Sequence, residues 1–161
     1  MARLMNVARF PGGGIPLITS MVFLANESIV KGSVLIDDGA GKVKLAATQP
    51  TSGVVGVALE AIDSKPGSNM SHDNLVTVRT GKVSEVSVAI ADLNTVWSAA
   101  AKAGTAIAQT HVGEEHDIVL VGTVWQVDLS ASGSDGCVVV DIDLDENIVF
   151  FKWLSTVILT N

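Results

Sequence analysis

The sequence predicts a mostly β protein, built as a small barrel or a β-sandwich with one short helix and an extended N-terminal arm. Short runs of β-branched or alternating residues recur along the chain, and turns rich in Gly, Asp and Ser separate them. Hydrophobic residues form 48% of the 161-residue chain, which excludes disorder as its main state. This length suits one domain. We therefore expect an arm over residues 1–20 and a single β-rich domain over residues 21–161.

The first half of the chain carries the clearest strand signals. Val30–Ile36 is short and β-branched, and Gly41–Ala46 alternates polar and apolar residues, so the pair predicts a hairpin that turns at Asp38-Gly39. Gly53–Leu59 is predicted to be the next strand, and its two glycines indicate a bulge or a close backbone approach. Further strands are predicted over Leu75–Thr80, Val83–Ile90, Ile118–Leu129, Gly136–Asp145 and Ile148–Leu159.

One segment, residues 92–103, is predicted to be helical. Asp92 or Asn94 is a suitable N-cap, and the run Ala99–Ala101 favours a helix. Gly104 then provides the signal that ends it.

Charged side chains are scarce. They form 17% of the chain, below the ~25% typical of soluble domains, so we expect part of the surface to be covered by other copies or by a larger assembly. The formal net charge of −7 argues against nucleic acid as a partner, since phosphate binding needs a basic face. No apolar run reaches the ~18 residues of a membrane-spanning helix, so no membrane partner is expected.

The charge is unevenly distributed. Residues 1–50 carry five basic and three acidic side chains, whereas residues 111–161 carry nine acidic side chains and only Lys152 as a basic one. One interpretation is a solvated acidic face with a short cationic tail. The other is that the basic, Gly-rich segment Met1–Gly14 reaches an acidic surface on a neighbouring copy or a different partner.

The sequence contains none of the motifs that would indicate catalysis or cofactor binding. Gly12–Gly14 lacks the Lys-Ser/Thr that completes a phosphate loop, and no G-x-S-x-G elbow occurs. The single Cys137 precedes Val138–Val140, which indicates a buried thiol in a strand, and one cysteine fits synthesis in a reducing compartment. We therefore predict no catalytic residue, no cofactor and no enzymatic activity.

Two groups of residues carry potential metal ligands. The first is Asp141, Asp143 and Asp145, whose side chains share one face of a strand about 7 Å apart; this is too far to chelate one ion without outside help and indicates an acidic surface stripe. The second is a dense cluster formed by His111, Glu114, Glu115, His116 and Asp117. Its histidines are five residues apart, not the four of a helical zinc site, and the segment has the character of a loop. No metal site is predicted.

Large apolar side chains mark the expected contacts. Trp97, Trp125 and Trp153 are predicted to be core or subunit-interface anchors, whereas an exposed aromatic row would indicate sugar binding. The C-terminal apolar run is interpreted either as a doubly buried strand pair or as an interface strand. Because a monomer would expose it as an aggregation-prone edge, we predict a self-association face formed by Phe150, Phe151, Trp153 and Leu154.

Four segments follow one another in an order that resembles the head decoration (capsid cement) proteins of tailed bacteriophages. They are Val30–Leu35, Gly41–Val43 with Ala46-Ala47, Val54–Ala61 and Val76–Val83. A turn leads into V-G-x-A-L and then into V-x-V-x-x-G, so the resemblance covers roughly residues 28–90. The apolar C-terminal run departs from the family's pattern.

The resemblance implies a β-tulip or barrel-like fold and a homotrimer on the outer surface of the virion capsid, bound to the major capsid protein, without catalysis. Such a protein is made in the host cytoplasm. We expect the arm to contact the coat through Arg3, Arg9 and Phe10. The alternative is another β-rich virion or cell-surface structural module, such as an adhesin that binds carbohydrate.

Overall fold

The computed structural model of the chain describes residues 4–8, 16–24, 27–62, 85–130 and 136–159. Within these ranges the chain forms eleven strands and one 3-10 helix, Gln109–His111. The strands are β1 Asn6–Val7, β2 Ile18–Val22, β3 Val34–Asp37, β4 Val43–Leu45, β5 Val54–Ala58, β6 Glu85–Ile90, β7 Trp97–Ala101, β8 Glu115–Val121, β9 Val124–Asp128, β10 Cys137–Asp143 and β11 Ile148–Trp153. They form two sheets, so the predicted mostly β fold is confirmed. The described part of the chain has no helix that is long and apolar enough to cross a membrane.

The larger sheet closes into a small barrel. Its strands run in the order β1-β7-β11-β10-β8-β9, and β9 pairs in turn with β7. This closing pair is parallel, with Ala100 opposite Gln126 and Ala101 opposite Val127, whereas the other pairs are antiparallel. Strands β7, β11, β10, β8 and β9 therefore form a ring, to which β1 is added at the edge of β7.

The second sheet is antiparallel and curls around a cluster of its own. Its order is β2-β6-β5-β3-β4, and Phe23, which follows β2, bridges back to Val43 on β4. The hairpin predicted around Asp38-Gly39 is present as β3–β4. Its turn is held by Asp38, whose carboxylate accepts hydrogen bonds from the backbone N–H groups of Ala40 and Lys42; these bonds hold the pKa of Asp38 below its ordinary value.

Strand β5 lies between the two hydrophobic clusters and contributes to both. All five residues of β5 are buried, and Val54 and Val57 join the cluster that contains Trp97 and Trp153. Val55 and Ala58 belong instead to the cluster inside the second sheet. A strand with both faces buried is consistent with its continuous apolar sequence.

The close backbone approach predicted for the Gly53–Leu59 strand is confirmed at Gly56. A Cβ atom built there would lie 2.1 Å from the carbonyl oxygen of Ala89 and 2.8 Å from Cγ1 of Val88. The register between β3 and β5 also shifts between Leu35 and Ile36, which is the predicted irregularity.

The helix predicted over residues 92–103 is wrong, because this segment contains strand β7. Asp92 does make the hydrogen bonds expected of an N-cap. Its carboxylate accepts them from the backbone N–H groups of Asn94 and Thr95 and from the Thr95 hydroxyl. It closes a turn, and no helix follows. Trp97 and Ala99 then point into the core, and pairing on both edges of β7 outweighs the helix propensity of its alanines.

The described residues within the predicted N-terminal arm, residues 1–20, include strand β1 and the start of strand β2. Strand β1 pairs with β7 and strand β2 with β6, so the expected boundary at residue 20 falls inside a strand. Met5 is 2% exposed and belongs to the core. The three predicted coat-contact residues, Arg3, Arg9 and Phe10, lie outside the described residues, as does the predicted strand Leu75–Thr80.

The later strands are present with different limits. Ile118–Leu129, predicted as one strand, is part of the β8–β9 hairpin, which turns at Gly122 with a φ of 63°. The predicted strand Gly136–Asp145 is β10, and the last apolar run is a strand only as far as Trp153.

Candidate functional site

The predicted self-association residues lie mostly inside the chain's own core. Phe151 and Trp153 are 0% and 1% exposed, and their rings meet edge to face at 5.6 Å. Phe150 and Leu154 are half-buried. The prediction is therefore wrong for Phe151 and Trp153, because alternate residues of β11 point into the barrel and leave no surface for a second copy.

The tryptophans and the cysteine are core residues, as predicted. Trp97, Trp125 and Trp153 are all at most 1% exposed, so none of them offers a stacking platform for a sugar. Cys137 is completely buried at the start of β10, and this burial raises the pKa of its thiol far above the ordinary value. A thiol held in its neutral form is a poor nucleophile.

The histidine-rich segment folds into a compact turn that ends in a strand. The 3-10 helix ends at His111, Gly113 adopts a φ of 90°, and β8 begins at Glu115. The turn is fixed to β10 by two backbone hydrogen bonds, from the Gly113 N–H to the Val139 carbonyl and from the Val139 N–H to the Glu114 carbonyl. This geometry brings the His111 ring next to that of His116.

The two imidazoles and one carboxylate converge on one point. Oε2 of Glu114 lies 3.2 Å from Nδ1 of His111 and 3.5 Å from Nε2 of His116. Potential ligand atoms of the three residues all lie within 4.8 Å of one another. His116 is 1% exposed, whereas the Glu114 side chain is 53% exposed. The group is therefore buried on the His116 side and open to solvent on the Glu114 side. We call His111, Glu114 and His116 the histidine–glutamate cluster.

The sequence pattern indicates this segment but not the site. The predicted loop over His111 to Asp117 has a histidine spacing that does not fit a helical zinc site, so no metal site was expected there. In the structure, the turn at Gly113 brings together three of the five residues, and Glu115 and Asp117 are not part of the group. The useful signal is the spacing H-x-x-E-x-H with a glycine inside it, at the entry to a strand.

The predicted acidic stripe is largely used in local hydrogen bonds. The Asp143 carboxylate accepts bonds from the backbone N–H groups of Asp145 and Glu146, which closes the β10–β11 turn. Asp141 accepts one from the Ile142 N–H. These carboxylates therefore shape a turn on the surface of the barrel.

A wide groove of about 1000 Å³ opens between β1 and this turn. Its lining includes Met5, Lys31, Ser98 and Glu146, and contains neither histidine nor cysteine. Such a lining offers backbone and mixed polar contacts for binding.

An exposed apolar surface lies at one edge of the second sheet. Leu17 and Ile18 are 69% and 58% exposed, and Leu93, which follows the neighbouring strand β6, is 48% exposed. Ile18 is opposite Ala89 in the register, and the Leu17 carbonyl accepts a hydrogen bond from the Ile90 N–H. Among the described strands of this sheet, β2 is the outermost next to β6, and Phe23, just after it, bridges to Val43 on β4. We call Leu17 and Ile18 the β2 edge surface.

Comparison of the chain with protein-family models, with curated proteins and with solved structures gives no match.

Proposed function

We propose that the protein is a non-enzymatic structural protein of the virion, which decorates the outer surface of a tailed-phage head and stabilises its coat. It would act as a homotrimer bound to the major capsid protein. The single observation that carries the proposal is the β2 edge surface, where Leu17 and Ile18 lie exposed on an outer strand. The order of the segments over residues 28–90, which resembles that of decoration proteins, supports the same function.

The β2 edge surface is suited to burial against a neighbour. Burying a Leu or Ile side chain completely is worth roughly 1.5–3 kcal/mol, so burial of Leu17 and Ile18 against a neighbour favours assembly. An outer strand also presents backbone groups that a strand of another chain can pair with. Because Phe151 and Trp153 are buried in the core, we assign self-association to the β2 edge surface instead.

The charge distribution supports an orientation in which the acidic C-terminal third faces away from the coat. The C-terminal third carries nine carboxylates and one lysine, and its Asp143 to Glu146 turn is on the surface of the barrel. An acidic outward face keeps neighbouring decoration proteins soluble and separated. The carbohydrate-binding alternative has less support, because all three tryptophans are buried.

Binding to heads tests the proposal directly. The full chain is mixed with expanded empty heads of the phage that encodes it, and we measure co-sedimentation and the melting temperature of the heads. We expect saturable binding and a raised melting temperature. Absence of binding by a folded chain would refute the proposal.

Sedimentation equilibrium tests the assembly surface. We expect a trimer mass for the wild-type chain at micromolar concentration and a monomer for Ile18→Lys, which places a charge on the β2 edge surface. Val121→Lys, at a side chain 43% exposed on β8, is the matched control and should stay trimeric. A wild-type monomer, or an Ile18→Lys trimer, would contradict the assignment.

A further inference from the structure

We propose that the histidine–glutamate cluster binds a divalent transition-metal ion of the zinc class. His111, Glu114 and His116 would supply three ligands, and the exposed side of Glu114 would leave a fourth position open. Two imidazoles and a carboxylate are the donor set of known three-ligand zinc sites, and imidazole also suits Co²⁺, Ni²⁺ and Cu²⁺. This inference does not depend on the proposed function.

Two of the three distances between ligand atoms match those of a tetrahedral site. With metal–ligand bonds of about 2.0–2.1 Å, neighbouring ligand atoms of a tetrahedron lie about 3.3–3.4 Å apart. The Glu114 oxygen lies 3.2 Å and 3.5 Å from the two histidine nitrogens, on either side of this value. The two histidine nitrogens lie within 4.8 Å of each other, so they would move closer together when the ion binds.

A second observation concerns the orientation of the His111 ring. Its Nε2 lies 3.2 Å from the Ala106 carbonyl oxygen, which can only accept, so Nε2 is the ring nitrogen that donates there. The other ring nitrogen, Nδ1, faces the Glu114 oxygen 3.2 Å away and is the atom placed to bind an ion.

The surroundings favour a metal ion over a chance contact. A ring N–H donated to a backbone carbonyl is the arrangement that orients metal-binding histidines and sets their tautomer. The backbone of the cluster is fixed to β10, and His116 lies in the paired part of β8, opposite Cys137. The ligands are therefore held near their places before binding, which reduces the entropy lost on binding. The excess of carboxylates in residues 111–161 attracts a cation.

Calorimetric titration of the full, tag-free chain with ZnCl₂ after treatment with EDTA tests the site. We expect one ion per chain. Co²⁺ in place of Zn²⁺ should give the strong visible absorption of a tetrahedral nitrogen–oxygen site. No saturable binding of either ion would overturn the proposal.

Variants locate the ion. His111→Ala and Glu114→Gln should each weaken binding by about tenfold or more, because each removes a ligand. Both side chains reach the surface, so these variants should fold, and circular dichroism checks this. Glu115→Gln, at the neighbouring exposed carboxylate, and His72→Ala, at the remaining histidine, should bind within about twofold of wild type. Unchanged affinity in His111→Ala and Glu114→Gln, or an equal loss in the controls, would overturn the assignment.

Discussion

Gly56 shows how one residue without a side chain fixes the distance between two strands. The space that a Cβ would need is taken by the backbone carbonyl of Ala89, which cannot move without disturbing β6. We therefore expect Gly56→Ala to lower the free energy of unfolding by about 3 kcal/mol, because the strands must separate. Urea unfolding followed by tryptophan fluorescence measures the change.

Gly39 supplies the control for this prediction. It lies in the β3–β4 turn with a φ of 83°, and a Cβ there would meet nothing within 4 Å. Gly39→Ala should therefore cost only about 1–2 kcal/mol, the strain of a left-handed residue. Equal losses in the two variants would contradict the steric explanation.

At the residue scale, the sequence correctly predicts features that depend only on residues close together along the chain. The turn at Asp38-Gly39 and the close approach at Gly56 follow from what Asp and Gly can do within a few residues. The histidine–glutamate cluster was not predicted. Its formation depends on the left-handed Gly113 and on pairing with Val139, which is 26 positions later in the sequence and which a local pattern does not reveal.

At the scale of elements, β1 turns part of an expected arm into a strand with a buried side chain. Met5 is 2% exposed in the core, whereas the adjacent Leu4 is 42% exposed. We expect Met5→Ala to lower the free energy of unfolding by about 2–5 kcal/mol, since it leaves a cavity, and Leu4→Ala to change it by less than about 1 kcal/mol. Thermal and urea unfolding measure both. Equal, small effects would indicate that residues 4–8 are an unattached arm after all.

Strand β7 shows why an element can be predicted wrongly from correct local evidence. The Asp92 carboxylate accepts a hydrogen bond from the Thr95 N–H, as a helix N-cap would, and Ala99–Ala101 does favour a helix in isolation. The outcome is decided by β11 on one edge and by β1 and β9 on the other. Strand β9 begins 23 residues after β7 ends, and β11 begins later still, so the competition between helix and sheet is settled by contacts that a short window does not contain.

At the scale of the whole molecule, the barrel closes where β7 meets β9, and an ion pair joins the two strands there. Nζ of Lys102 lies 2.5 Å from Oδ2 of Asp128, and Ser130 donates to the other carboxylate oxygen. Desolvation of this buried carboxyl acts to raise its pKa, but the bonds from Lys102 and Ser130 outweigh it and hold the pKa below the ordinary value.

A lowered pKa in the folded state stabilises the fold above the pKa of the unfolded chain, and this stability is lost as the pH falls through the folded pKa. We therefore expect Asp128→Asn to lower the free energy of unfolding by about 1–3 kcal/mol at pH 7 and by less at acidic pH, below about 4. Urea unfolding at the two pH values measures this. Asp145→Asn, at an exposed carboxylate, is the control and should show little effect at either pH. A loss that is the same at both pH values would contradict an electrostatic role.

The burial of strand β5 has a consequence for amide hydrogen exchange. Its amide hydrogens are shielded from water on both faces, and the Val54 and Ala58 N–H groups donate to the carbonyls of Val157 and Ser33. We therefore expect deuterium to replace these hydrogens only when both sheets separate from β5. On this expectation, the barrel and the second sheet unfold together as one cooperative unit.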